Sequence, residues 1–431
     1  MQSFGRRAWL AFLMEISVVP CAIAQPALTW GEVRSRFAAA NPSLQADQVG
    51  VDESKATEIT AFLRPNPQCN LTFDQIGHTE PTDGNSANIL SAATLIASCG
   101  YLYERQHKRD LRRDSARGAT AVAASAHGNL DRTLIFTLRS AFVQVLAAKA
   151  ALTLARDNLA FYDQVLTISQ RRFQAGDIAQ VDLDRLQLQR VQLESAVETA
   201  DVNVRTAKIQ LLALIDERTP LDQFDVSGPF AFTETVPTLD ALHQRAIEAR
   251  PDLRSAIQAI DQATVTHRLA IANGTADPVF TVDGGFPSIS QAWQSYAPPL
   301  RQYFGVSVGF PLRIFDQNQG EKLRTQLDIT RNERLAAATR AQVMSDVDSG
   351  YATLVSAINL LRPYRDRYLA QSVQVRDIVT QSYQRGGAAL LDFLQAEQDY
   401  RAVQLNYITL VGSYLTAVAQ LNAAVGQEVI P

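Results

Sequence analysis

The chain has 431 residues, 46% of them hydrophobic and 19% charged, with a formal net charge of -4. That length suits two ordinary domains or one elongated one, and the charge balance gives no basic footprint for nucleic acid. The five histidines (His78, His107, His127, His243, His267) show no ligand spacing and read as surface residues. No phosphate loop, Gly-rich dinucleotide motif or nucleophile elbow is present, so the chain reads as no enzyme, with no catalytic residue, cofactor or metal.

In chain order, Arg6 and Arg7 precede a mostly apolar stretch, Ala8 to Val19, and the small residues Ala22 to Ala24. This reads as an export signal over residues 1–24, with Glu15 its one blemish. Lipidation of Cys21 is the weaker reading, because Val18, Val19 and Pro20 suit it poorly. No later segment offers the roughly 18 uninterrupted apolar residues of a membrane helix, so an exported protein without a helical span is expected.

Two copies of one unit follow, over residues 25–215 and 238–431. "NPSL" at Asn41 to Leu44 matches "RPDL" at Arg250 to Leu253, and a helix follows each. "NPQCNLTFD", Asn66 to Asp74, then matches "DPVFTVDGG", Asp277 to Gly285. Cys69, Leu71 and Phe73 alternate with Asn70, Thr72 and Asp74, and Phe280 and Val282 with Thr281 and Asp283, which predicts strands. Partner strands are predicted from about Ile89 to Tyr103 and over Tyr303 to Leu312.

Long helices come next. From about Arg105 to Phe173 there is no Pro, which predicts a helix about 100 Å long. Its counterpart, about Gln319 to Tyr383, contains Pro363 and should bend there. Each ends in the same motif: Phe173, Gly176, Asp182 and Leu183 recur at a constant offset as Tyr383, Gly386, Asp392 and Phe393. The glycines supply the positive φ of a tight turn, and Asp177 is suited to cap the following helix. Leu183, Leu186, Arg190, Leu193, Val197, Ala200, Val204, Ala207, Leu211 and Leu214 then keep an unbroken three-four spacing. The same offset gives Phe393, Ala396, Tyr400, Val403, Tyr407, Leu410, Tyr414, Ala417, Leu421 and Ala424. That period predicts long helical hairpins packed along a seam.

Four strands are too few to close a barrel, and two isolated half-apolar hairpins make poor soluble structures. Sharing one closed barrel among identical chains in an outer membrane resolves both problems, with the long helices projecting away from the lipid. The doubled tips, the "NP-x-L" ahead of each strand-bearing half and "FPLRIFDQNQGE", Phe310 to Glu321, resemble the TolC family of outer-membrane efflux factors, most nearly its CzcC-like cation-efflux branch. The likeness covers about residues 28 to 426.

The resemblance implies a mainly α fold with a small β part. Coiled-coil α-hairpins would form a trimeric α-barrel joined to a 12-stranded outer-membrane β-barrel, four strands per chain. It implies a homotrimer in outer-membrane lipid, extending into the periplasm. The partners would be a periplasmic adaptor (membrane fusion) protein and an inner-membrane pump, of the resistance-nodulation-division type. At the tips it implies a pore constriction at Asp392, with Gln395 where the family carries a second acid. A gating latch would involve Asp182 and Tyr383, although the family's basic partner is Ala388 here. Adaptor docking would fall on Phe173, Gly176, Asp177, Ile178, Gly386, Gly387, Ala388 and Leu390. The rival reading is a periplasmic coiled-coil adaptor or scaffold of an efflux assembly.

Three features stand outside the resemblance. The basic run Glu104 to Arg117 reads either as an anchor to anionic headgroups or as a solvated helix face. Cys69 and Cys99 lie about equally far from the Asp83-Gly84 turn, so a cross-strand disulfide is open, but two free, lipid-facing cysteines are the favoured reading. Residues 216–237 read as a loose linker, an equatorial belt between the halves.

Overall fold

The structure, a computed structural model, describes residues 27–74, 94–286 and 302–430. The expected export signal, Cys21, His78, the Asp83-Gly84 turn and the start of the second strand at Ile89 lie outside the described residues.

The first repeat consists of α1 (Trp30–Ala40), α2 (Pro42–Phe62), β1 (Gln68–Asp74), β2 (Thr94–Leu102), α3 (Lys108–Ala175) and α4 (Gln180–Leu214). The second has α5 (Leu239–Ala249), α6 (Pro251–Asn273), β3 (Val279–Phe286), β4 (Tyr303–Gly309), α7 (Gln319–Pro363), α8 (Leu369–Gln384) and α9 (Leu390–Val425). β4 stops three residues short of the predicted Leu312.

The local chemistry accounts for the breaks. Asn41 ends α1 and caps α2: its Oδ1 accepts from the backbone N–H of Ser43 and of Leu44, both at 3.1 Å. Pro42 then takes the first helical position, where a missing N–H costs nothing. α3 runs unbroken for 68 residues, about 100 Å. Gly118 permits its close approach to α6, since a Cβ there would lie 3.2 Å from the Gln262 Cα. The bend expected at Pro363 takes the form of a π turn, Tyr364–Tyr368, between α7 and α8. Proline donates no hydrogen bond and crowds the carbonyl four residues back, and a locally wider helix absorbs both faults.

The seam positions predicted on α4 and α9 are all buried or half-buried. They serve three clusters. One, around Phe142, Leu211 and Val226, gathers α1, α3, α4 and the linker. A second, around Leu242, Leu354 and Leu421, joins α5, α7 and α9. The third joins the two hairpin tips through Tyr162, Leu186, Tyr383 and Phe393. α3 and α9 each hold an 18-residue window of mean hydropathy 1.4, enough by length and composition to cross a membrane. The sequence expectation counted only uninterrupted apolar runs. Here the apolar residues are interspersed with small polar ones.

The linker over 216–237 is not loose, as expected, but pinned. Leu28 pairs with Val226 as a parallel bridge, and Arg36 meets Glu217 at 2.9 Å. Lys149 Nζ donates to Asp225 Oδ2 at 2.7 Å, and the Tyr414 hydroxyl to the Thr233 carbonyl at 3.1 Å. Phe224 and Val226 are buried, so the segment stitches apolar clusters of both repeats.

Candidate gating tip and membrane sheet

The two tips are built alike. Gly176 has φ +87° and Gly386 φ +79°, a region only glycine enters freely. In the first tip the N–H of Gly176 donates to the Phe173 carbonyl and that of Asp177 to Arg172. In the second, Gly386 donates to Tyr383 and Gly387 to Ser382, at matching positions of the repeat. Asp177 does not cap α4. Ala179 is the N-cap, so Asp177 belongs to the turn, where its N–H closes the end of α3. Phe173, Ile178 and Ala388 are half-buried, Gly176, Asp177, Gly386 and Gly387 are exposed, and Leu390 is buried beneath them.

Asp392 is exposed on the first turn of α9, where its Oδ2 accepts from the Ala389 N–H at 3.3 Å. Gln395 is exposed one turn on and donates to Asp399 Oδ1 at 2.8 Å. Asp399, seven residues after Asp392, shares its helical face. Reasoning from motif positions alone overlooked it.

The structure does not join Asp182 to Tyr383 by a hydrogen bond within the chain. Tyr383 is 4% exposed, its hydroxyl makes no hydrogen bond within the chain, and its ring stacks on Phe393 at 5.2 Å. The cation that reaches Tyr383 comes from the other hairpin. Arg172 Nη1 donates to the Tyr383 carbonyl at 2.7 Å, with the guanidinium carbon 5.4 Å from the ring centroid. Arg172 was missed because the reading sought a base just after the second Gly. Its one sequence signal is a position in the last turn of α3, where a cation suits the helix dipole.

At the other end, the four strands form one antiparallel sheet in the order β1-β2-β3-β4. Register gives each face a character. Leu71 aligns with Ala97, Cys99 with Val282, and Val282 with Val306, while Phe280 aligns with Val308. This face is apolar, and Leu71, Phe73, Phe304 and Val306 stand exposed on it. The opposite face carries Asn70, Thr72, Ser98, Thr281, Asp283 and Ser307. Within the chain β1 and β4 pair on one side only.

Cys69 and Cys99 face each other in register and are bonded as a disulfide, which corrects the favoured reading of free thiols. Spacing from the turn alone did not decide this; the strand pairing does.

Part of the basic run at the sheet's base is engaged within the chain, while Arg105 and Arg117 stay exposed. Lys108 is 4% exposed, and its Nζ donates to Asp277 Oδ2 at 2.6 Å and to the Thr275 carbonyl at 2.7 Å. Arg112 pairs with Glu104 and donates to the Ala61 and Leu63 carbonyls. Arg109 lies 4.1 Å over the Phe62 ring. These cations fasten α3 to α2 and to the start of β3. Three of the four described histidines are half-buried rather than surface residues: His127 bonds Asp47, His243 bonds Asp348 and His267 bonds Thr325.

Residues 242–427 match the family described as outer membrane efflux protein. Over 426 residues the chain is 24% identical to the cobalt-zinc-cadmium resistance protein CzcC of Cupriavidus metallidurans, covering 96% of this chain and 93% of that one. It is also 24% identical to the pyoverdine export outer membrane protein OpmQ of Pseudomonas aeruginosa, covering 89% and 78%. In fold it superposes on the outer-membrane channel OprN with a TM-score of 0.75 at 15% identity, covering 92% and 89%.

Proposed function

We propose that this chain, whose residues 242–427 match the outer membrane efflux protein family, is the exit duct of a tripartite efflux system. Three copies would join β1 of one to β4 of the next and close a 12-stranded barrel, with the apolar face toward lipid and the polar face toward the lumen. Residues 25–215 and 238–431 act as two repeats joined by the belt at 216–237. The long hairpins continue the duct into the periplasm, where an adaptor docks on the exposed turn residues Gly176, Asp177, Gly386 and Gly387. Phe173, Ile178 and Ala388 flank that surface and Leu390 supports it. An inner-membrane pump of the resistance-nodulation-division type drives the cargo, and this chain supplies a passive path with no bond-making step.

The observation that carries this reading is the sheet: two faces of opposite character, both edges open, joined to helices about 100 Å long. Within it, Asp392 supplies a ring of three carboxylates at the closed tip, with Gln395 above. Crowded like charges at a trimer axis favour cations and bind multivalent ones. Asp182 and Tyr383 stand at the moving contact between hairpins. A periplasmic adaptor would present one hairpin per chain, and this chain has two. One relative is named for cobalt-zinc-cadmium resistance and another for pyoverdine export, so the duct leaves cargo choice to the pump.

The test is single-channel conductance in a planar bilayer, wild type against Asp392→Ala, with a trivalent cation added. A cation-preferring pore blocked by that ion, and released from block in the variant, is the expected result. A pore indifferent to the substitution removes the Asp392 ring and keeps the duct. A purified trimer that forms no pore overturns the duct.

A further inference from the structure

The packed tips enclose a carboxyl that the duct mechanism leaves unused. Glu397 lies one turn beyond Phe393 on α9 and is 1% exposed. Neither of its carboxyl oxygens makes a hydrogen bond within the chain. The polar groups around it come from both hairpins. α3 contributes Tyr162, α8 contributes Arg376 and Asp377, and α9 contributes Arg401. Tyr383 of α8 stands beside Tyr162, and α4 offers leucines, Leu183, Leu186 and Leu193, to the same cluster.

The two arginines are engaged elsewhere. Arg376 sits between the rings of Phe161 and Tyr400, 4.6 and 4.1 Å from their centroids, and pairs with Asp377 at 2.9 Å. Arg401 donates to the Glu397 backbone carbonyl, not to its carboxyl. A buried carboxylate without a hydrogen bond is costly, and the ordinary response is to hold its proton. Burial accordingly pushes the Glu397 carboxyl above its usual 4.5, against the weaker opposing pull of Arg376 and Arg401.

We propose that Glu397 makes the tip pH-sensitive: packed hairpins keep this carboxyl neutral, separated hairpins let water ionise it, and acid therefore favours the closed tip. The proposal rests on reading the tip as a gate. The packed state binds a proton that the separated state releases. Closure is therefore favoured most below the ordinary carboxylate range and loses that support as pH rises through the raised value. No histidine occurs in residues 159–193 or 376–401 to mask the response between pH 5 and 8.

The test places spin labels at Val181→Cys and Leu391→Cys, exposed positions on opposite hairpins, in the full mature chain. Cys69 and Cys99 are bonded to each other and do not take label. Dipolar distances are read at pH 5 and pH 8. The short-distance population should fall several-fold in the wild type and stay constant in Glu397→Gln. An unchanged wild type, or an equal fall in the variant, overturns the proposal. Should Glu397→Gln fail to assemble, the infrared band of a protonated buried carboxyl in the wild type, present at pH 5 and lost on raising the pH to 8, decides, and its absence at pH 5 overturns the proposal. These distances need no conduction. A pore that ignores pH sinks this proposal alone, whereas absence of a pore sinks the duct.

Discussion

Arg172, in the last turn of α3, donates from Nη1 to the backbone carbonyl of Tyr383 at 2.7 Å, and this bond ties the first hairpin to the second at the tip. A charge-assisted hydrogen bond of this kind contributes roughly 1.5–3 kcal/mol. Arg172→Ala should therefore loosen the tip, with mean single-channel conductance raised several-fold over wild type. Arg172→Lys, which keeps the charge but loses the planar fork, should fall between. Equal conductance in all three proteins counts against the tie.

Cys69 and Cys99 staple β1 to β2 across a separation of 30 residues. Closing a loop of that size restricts the unfolded chain by about 3–4 kcal/mol. The Cys69→Ser, Cys99→Ser protein should lose its trimer at a lower temperature on a non-reducing gel. Reductant should lower the wild-type midpoint toward the same value and leave the variant unmoved.

Gly285 lies where β3 crosses both neighbours. A Cβ there would overlap the Leu95 carbonyl oxygen, a backbone atom that cannot step aside without breaking the ladder. Gly285→Ala should cost about 1–3 kcal/mol and lower the yield of heat-resistant trimer. Gly309→Ala, where a Cβ meets nothing within 4 Å, serves as the control.

Arg250 is 3% exposed and reaches Asp252 at 2.6 Å, Asp346 at 2.7 Å and the Ala424 carbonyl at 3.1 Å. It locks the start of α6 to α7 and to the end of α9. Arg250→Leu strands partly buried carboxylates and should destabilise the protein by about 3 kcal/mol, read as a lower denaturation midpoint. The double change Arg250→Leu, Asp252→Asn should recover part of that loss.

Asp225 gives a pH signature at the belt. Burial opposes its ionisation, but hydrogen bonds and charge from Lys149 and Lys208 outweigh it and hold the carboxyl below its usual 3.8. A depressed value means this stabilisation is present above 3.8 and is lost as pH falls through the lowered value. Asp225→Asn should be less stable than wild type at pH 7, and the gap should close on acidification below about pH 4. A gap that does not narrow would discard the ion pairs as its cause.

Much of this was legible in the chain because it rests on periodicity. A seam spaced three and four, strands alternating in twos and a tip recurring at a constant offset are each written in consecutive residues, and backbone geometry converts them directly into helices, strands and turns. Gly176 and Gly386 took the positive φ that their place in the motif required. Asp177 failed as a cap because two further residues, Ile178 and Ala179, precede α4, and residue type alone does not count the length of a turn.

The sequence by itself determined the doubled unit, its long hairpins, the two-faced strands and the kinship those imply. Tertiary structure alone decided which distant groups meet: Cys69 with Cys99, Lys108 with Asp277, Arg172 with Tyr383, and a buried Glu397 among rings from both hairpins. The reason is physical. A repeat pattern fixes which face of each element turns inward, whereas ion pairs, stacked rings and buried charges depend on how faces far apart in the chain come into contact.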